Sequence, residues 1–160
     1  MNWNNQLGCY CINQLNELNL NELIAKKISL LIFDIRGTII INHQINSHFA
    51  KLMEQINDAN CFKILFATNN CSYYTNKVRH ELVGINCMTS YLYFACKPLL
   101  FRIKHQLKCM GLINIIKSPI NKIAVIGNQL NTDGKLASKL HALLIYCLNN
   151  WKFKNCWRLQ

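Results

Sequence analysis

Residues 28–40 read ISLLIFDIRGTII, and the fold turns on how this stretch is read. Leu30–Phe33 is an uninterrupted apolar run with the length of a buried strand. It ends on Asp34, a lone acid. Arg36, Gly37 and Thr38 follow before apolar residues resume. A carboxylate delivered from a buried strand into a tight turn is costly unless it is paired, bound to metal or reactive. The chain holds only seven acids, so the placement of this one is informative. The plain structural alternative is an acid that caps the turn.

The same grammar repeats on the C-terminal side. In residues 46–59, Phe49, Leu52, Met53 and Ile56 fall at i, i+3, i+4 and i+7, which predicts an amphipathic helix. Asn46 or Ser47 is available to cap it. Residues 62–67, FKILFA, predict a second strand ending on Thr68, Asn69 and Asn70. A helix follows over 72–83 with Val78 and Leu82 inward, and Gly84 suits its end. Residues 91–95, YLYFA, predict a third strand, followed at once by Lys97 and Pro98. Pro98 suits the first turn of a helix that carries Leu100, Ile103, Leu107 and Met110 and stops at Gly111. Residues 122–126, KIAVI, predict a fourth strand with GNQLNTD (127–133) at its edge. A short helix runs to His141, and ALLIYC (142–147) predicts a fifth strand.

Strands alternating with helices imply an α/β fold with a mostly parallel, five-stranded sheet covered on both faces. The domain is expected over residues 23–148. Residues 1–22 are expected to form a polar, helical extension, with Leu15, Leu18 and Leu23 along one side of a short helix. Residues 149–160 form a basic aromatic tail, in which Trp151, Phe153 and Trp157 interleave with Lys152, Lys154 and Arg158. A length of 160 residues with 51% hydrophobic content suits one domain with a proper core.

Composition narrows the partners. Eighteen basic residues minus seven acids give a formal charge of +11. That favours polyanions: phosphorylated substrates, RNA or an anionic membrane surface. No RNA-binding signature of the RRM or KH type is present. No apolar run approaches the roughly 20 residues of a membrane span, and the first residues do not read as a signal peptide, so the chain is expected in the cytosol. Nine cysteines without a CxxC pair argue against a disulfide framework or a zinc site. Cys61, Cys87, Cys96, Cys109 and Cys147 lie in or beside apolar stretches and are expected as small core residues.

In open parallel sheets, ligands bind beyond the carboxyl ends of the strands. Asp34, Thr68 with Asn69, Lys97, and residues 128–133 all fall there. A carboxylate, a second acid and a lysine around one point suit phosphoryl transfer. One carboxylate can act as nucleophile and form an acyl phosphate. Mg²⁺ between two acids and a phosphate would offset their repulsion. A lysine and a threonine hydroxyl can hold the non-transferred oxygens.

FDIRGT (33–38), ATNN (67–70), KP (97–98) and GNQLNTD (127–133) resemble, in order and spacing, the four motifs of the haloacid dehalogenase (HAD) superfamily of phosphatases. Within it the chain is similar to subfamily IIIA, the YqeG-type, phosphatidylglycerophosphatase-like phosphatases, over about residues 23–148. The resemblance implies a Rossmann-like three-layer sandwich of HAD type, a phosphomonoester substrate, an aspartyl-phosphate intermediate and Mg²⁺. It implies Asp34 as nucleophile, with Thr68 and Lys97 as the other catalytic residues. Thr68, Asn69, Lys97 and Arg36 would contact substrate. Asp34, the backbone carbonyl of Arg36, Asn128 and Asp133 would hold the metal.

Two positions depart from the family pattern. Arg36 stands where the family has the acid that shuttles protons, and arginine stays charged at any working pH. Asn128 replaces an aspartate, keeping an oxygen ligand but losing its charge. These departures keep two other readings open: an impaired domain that binds a phosphorylated ligand or partner without turnover, and a basic RNA-associated protein. The short spacings leave no room for a cap domain. An open site then needs a large substrate, a partner or a surface to exclude water. The related enzymes imply phosphatidylglycerophosphate, a lipid with a terminal phosphate, as one candidate, and the aromatic, basic tail suits peripheral contact with an anionic membrane.

Overall fold

The computed structural model describes residues 1–83, 89–112, 114 and 122–148. The apolar run Leu30–Phe33 is strand β3, buried at every position. Before it lie β1 (Asn2–Asn4) and β2 (Cys9–Ile12); after it come β4 (Ile40–Ile41), β5 (Gln44–Ile45), β6 (Lys63–Ala67), β7 (Thr89–Leu92), β8 (Ile123–Gly127) and β9 (Leu143–Cys147). The helices are α1 (Leu20–Ala25), α2 (Phe49–Ala59), α3 (Ser72–Glu81), α4 (Leu100–Cys109) and α5 (Lys135–Lys139). A 3₁₀ turn covers Leu15–Glu17, and a π-helical turn, Leu130–Gly134, leads into α5.

The main sheet has seven strands in the order β1-β2-β9-β8-β3-β6-β7. Every pairing is parallel except β1 with β2. From β3 the chain moves outward through β6 and β7, then returns to β8 and β9 on the other side. The direction of winding therefore reverses between β3 and β8, where a crevice opens beyond the strand ends. Register aligns that edge: Phe33 pairs with both Phe66 and Ile126, so Asp34, Ala67 and Gly127 leave the sheet at one level. The Asp34 backbone N–H donates to the Ile126 carbonyl at 2.8 Å.

Alternation along the strands feeds two cores. Leu31, Phe33, Phe66 and Ile126 face α2 and α3 through Phe49, Leu52, Met53, Ile56 and Val78. Leu30, Ile32, Leu65 and Val125 face α4 and α5 through Ile103, Leu107, Leu136 and Leu140. The Phe66 ring lies 5.8 Å from Phe33 and 5.3 Å from Tyr91, knitting three adjacent strands. Each such buried side chain contributes about 1.5–3 kcal/mol. Helices thus cover both faces.

Several expectations need correction. The sheet has seven strands rather than five because residues 1–22 are not simply a helical extension. Their first part is a hairpin whose second strand, β2, pairs in parallel with β9, Tyr10 opposite Ile145 and Ile12 opposite Cys147. The short Cys9-Tyr10-Cys11-Ile12 alternation carries its apolar signal on thiols, which count weakly as strand formers. Leu15, Leu18 and Leu23 are buried as expected, but a 3₁₀ turn and α1 share them.

The third strand ends at Leu92, and Tyr93 and Phe94 are exposed. Phe94 and Cys96 take left-handed φ values of 45° and 55°, while the Ala95 N–H donates to the Thr68 carbonyl. Docking of this turn onto the neighbouring strand end overrides the apolar run. Pro98 precedes α4 rather than starting it, behind a cis Lys97–Pro98 peptide and an N-cap at Leu99. Asn46 does not cap α2; its Oδ1 accepts from the His48 N–H in the turn before the helix. Of the cysteines expected in the core, Cys147 is buried, but Cys61, Cys96 and Cys109 are exposed at a helix end and in turns.

The hairpin β4–β5 was not expected. Asn42 and His43 form its two-residue turn with φ of 49° and 63°, the twist that hairpins prefer. Among the described residues no helix is long and apolar enough to cross a membrane. Gly84, Cys87 and the tail at 149–160 lie outside the described residues.

Candidate functional site

A cavity of about 540 Å³ opens at the carboxyl edge of the sheet. Asp34 and Arg36 reach it from β3, Asn69 and Asn70 from β6, Lys97 from the turn after β7, and Asn128 from β8. The β4–β5 hairpin adds a wall that includes His43, and α3 adds Tyr74. A smaller hollow beside the N-terminal hairpin, about 380 Å³, is lined by amides with Trp3, Cys11 and Leu148, and holds no acid or base pair.

Lys97 is the hub. Its Nζ donates to Asp34 Oδ1 and to Asp133 Oδ1, each at 2.6 Å. The three side chains are almost wholly buried, at 3%, 10% and 1% exposure for Lys97, Asp34 and Asp133. Asn69 fixes the lysine's backbone: its Oδ1 accepts from the Lys97 N–H at 2.7 Å and its Nδ2 donates to the Lys97 carbonyl at 3.0 Å. Asp133 is fixed in turn, since its Oδ2 accepts from the Gln129 N–H at 3.2 Å. Removing Lys97 would leave two buried acids without their counter-charge.

Two glycines make room for this cluster. A Cβ on Gly127 would lie 2.4 Å from the Asp133 carboxylate. A Cβ on Gly37 would lie 2.2 Å from the Asn128 side-chain nitrogen, and Gly37 also holds φ of +87°. Both glycines are required by close approach of a polar side chain to backbone.

The electrostatics follow from burial. Asp34 is pushed up to about 6, chiefly by desolvation, with Asp133 adding to the rise and the Lys97 ammonium opposing it. For Lys97 desolvation pulls downward, but the two carboxylates outweigh it and hold the ammonium above its ordinary range. Two carboxylates against one ammonium leave the cluster one charge negative when both acids are ionised. Cys147 also lines the cavity. Burial and the nearby acids raise its thiol, so it stays protonated and unreactive.

The sequence-predicted residues divide into two groups. Asp34, Lys97 and Asp133 meet directly, and Asn69 and Asn128 stand beside them. Arg36 lines the cavity with an exposed side chain, while the ion-pair partner of Asp34 is Lys97. Thr68, expected to face phosphate, is fully buried and is not among the residues that line the cavity. Its Oγ1 accepts from the Asn70 N–H at 3.2 Å and from Asn70 Nδ2 at 3.3 Å. The polar groups this loop offers to the cavity are therefore Asn69 and Asn70. Asp133 does not line it either and is turned to Lys97 and Gln129.

Sequence reading missed His43 and Tyr74. Asn42-His43 lacks the glycine of the usual two-residue turns, and the flanking strands are two residues each, so little in the sequence marks this hairpin.

A hard, oxygen-seeking cation fits the donor set. Asn128 Oδ1 is buried at the cavity wall and has no hydrogen-bond partner. Leaving such an acceptor unpaired costs about 1–3 kcal/mol. It stands in a net-negative cluster with Asp34. Among the described residues no three His, Cys, Asp or Glu side chains gather as a metal site. An amide oxygen and backbone carbonyls would have to complete the shell.

No family model matches the chain, and no curated protein matches it. Among solved structures it is similar to an uncharacterized protein from Listeria monocytogenes serotype 4b, known from a crystal structure. The two are 13% identical with a TM-score of 0.55, over 78% of this chain and 84% of that one. At this identity the likeness concerns the fold alone.

Proposed function

We propose that the chain is a HAD-like phosphatase domain of the YqeG type, with a Rossmann-like sandwich and Asp34 as its phosphoryl acceptor. The observation that carries this reading is the buried Lys97 bridge, 2.6 Å from both Asp34 and Asp133 at the strand ends. The order of the four sequence motifs supports it independently. The substrate is a phosphomonoester, with a lipid phosphate such as phosphatidylglycerophosphate first among candidates. The setting is cytosolic, peripheral to an anionic membrane.

Above pH about 6 Asp34 is a carboxylate. Lys97 holds one of its oxygens and so orients the other. That oxygen attacks phosphorus, an Asp34–phosphorus bond forms, and the bond to the alcohol oxygen breaks. The departing oxygen takes a proton. Water then attacks the phosphorus of the acyl phosphate, releasing phosphate and restoring the Asp34 carboxylate. Arg36 cannot give or take either proton. His43 lines the same cavity, and an imidazole can both give and take a proton. Asn69 and Asn70 offer amides to the non-bridging phosphoryl oxygens. Asp34, Asn128 and the Arg36 carbonyl would hold Mg²⁺, with Asp133 adding charge from behind. The ion would supply positive charge to the phosphoryl oxygens.

Arg36 favours a second reading. A fixed cation where an acid would serve turnover suits a domain that retains a phosphorylated ligand without hydrolysing it. One assay separates the two: phosphate release from phosphatidylglycerophosphate and from p-nitrophenyl phosphate, with and without Mg²⁺. The phosphatase reading expects metal-dependent release that Asp34→Asn abolishes and Arg36→Asp increases. Ligand binding with no release from wild type or Arg36→Asp would support the second.

A further inference from the structure

The chain's charge is segregated. Residues 82–160 carry eleven of the 18 basic residues and a single acid, Asp133, which is buried. The exposed or half-exposed acids Glu17, Glu22, Glu54, Asp58 and Glu81 all precede residue 82. Among the described residues, the helices on the two faces of the sheet differ accordingly. α4 and α5 cover one face and present Lys104, Lys108, Lys135 and Lys139 to solvent with no acid among them.

Beside that face lies an apolar patch at the carboxyl edge. Tyr93, Phe94, Leu99 and Phe101 are 46%, 49%, 54% and 61% exposed within one turn of chain. The turn is held in place. The Phe94 N–H donates to the Asn70 carbonyl, the Leu99 N–H to the Cys96 carbonyl, and Lys139 Nζ to the Pro98 carbonyl. Large side chains gathered in this way on a surface mark a contact site. Asn70, whose carbonyl accepts from the Phe94 N–H, and Lys97, within the same turn, both line the cavity, so the patch adjoins the site.

We infer that the 93–101 turn and the basic α4–α5 face form a docking surface for an anionic lipid bilayer. Charge complementarity is supplied by an acid-free face, and Leu99 and Phe101 at the tip are side chains that enter acyl chains. A nucleic acid would use the cations and stack on rings, but it would gain little from Leu99. The inference is independent of turnover at Asp34, because binding and hydrolysis are read separately.

Sedimentation of the full chain with vesicles tests it. Vesicles containing phosphatidylglycerol are expected to bind, and pure phosphatidylcholine vesicles to bind far less. Phe94→Ser combined with Leu99→Ser and Phe101→Ser should weaken binding about tenfold or more. Lys104→Glu and Lys108→Glu should each weaken it about fivefold or more, and added salt should do the same. A circular dichroism melt checks that each variant folds; if the triple variant does not, Phe101→Ser alone carries the test. Equal binding to neutral vesicles, or binding unchanged by the serine variants, would overturn the proposal. Displacement of vesicles by single-stranded RNA, with the serine variants binding that RNA as wild type does, would reassign the face to nucleic acid.

Discussion

Lys97 joins two acids that are 99 residues apart in sequence, and Asp34 shows what that arrangement costs. Its folded value of about 6 lies above the ordinary 3.8. For an acid raised in this way, the stability contribution is full below 3.8 and is lost as pH rises through about 6. Burial, which dominates the shift, therefore makes ionised Asp34 a liability at neutral pH. In metal-free protein, Asp34→Asn is expected to melt higher than wild type at about pH 8, with the gain shrinking toward zero below about pH 4. Thermal melts across pH check this, and a variant that melts lower at both ends contradicts it. Asp34 and Lys97 were legible as candidates because each closely follows an apolar run, and Asp133 because it ends the polar segment after β8. What the sequence did not show is that Thr68 is fully buried and accepts from Asn70 within its own loop.

At the scale of elements, long periodic segments were legible and short ones were not. Leu30–Phe33 and the buried stripe of α2 appear as read, because burial on both strand faces and a 3.6-residue period leave strong patterns. The β1–β2 hairpin spans two very short strands and was lost among polar residues. It completes the sheet by covering the edge of β9, which includes Ile145 and Cys147. Deleting residues 1–12 should therefore expose that edge and produce a less stable, aggregating protein, measured by melting temperature and light scattering. A truncated chain that melts like the full one would show that the hairpin is dispensable. The β4–β5 hairpin brings His43 to the cavity, and Lys77 Nζ donates to the His43 carbonyl from α3. His43→Gly keeps a residue suited to the left-handed turn while removing the imidazole. Turnover should fall by about 10²–10⁴ with little change in melting temperature. Unaltered turnover would exclude the imidazole as proton carrier.

At the scale of the whole molecule, topology places the site. The reversal between β3 and β8 sets Asp34 beside Asn128, and the excursion through β6 and β7 brings Asn69 and Lys97 alongside. The parallel α/β architecture followed from alternating patterns, but the strand order did not, since nothing local to a strand names its neighbours. The net charge of +11 was present in the sequence, yet only the fold puts the acid-free helices α4 and α5 on one face. The central claim is that Asp34 accepts a phosphoryl group from a phosphomonoester in a site held by Lys97. The most direct measurement is peptide mass spectrometry of protein acid-quenched during reaction with p-nitrophenyl phosphate and Mg²⁺. A phosphoryl adduct on the peptide carrying Asp34, absent from Asp34→Asn, is the predicted result. Phosphate release by wild type with no adduct at Asp34, or release undiminished in Asp34→Asn, would contradict it.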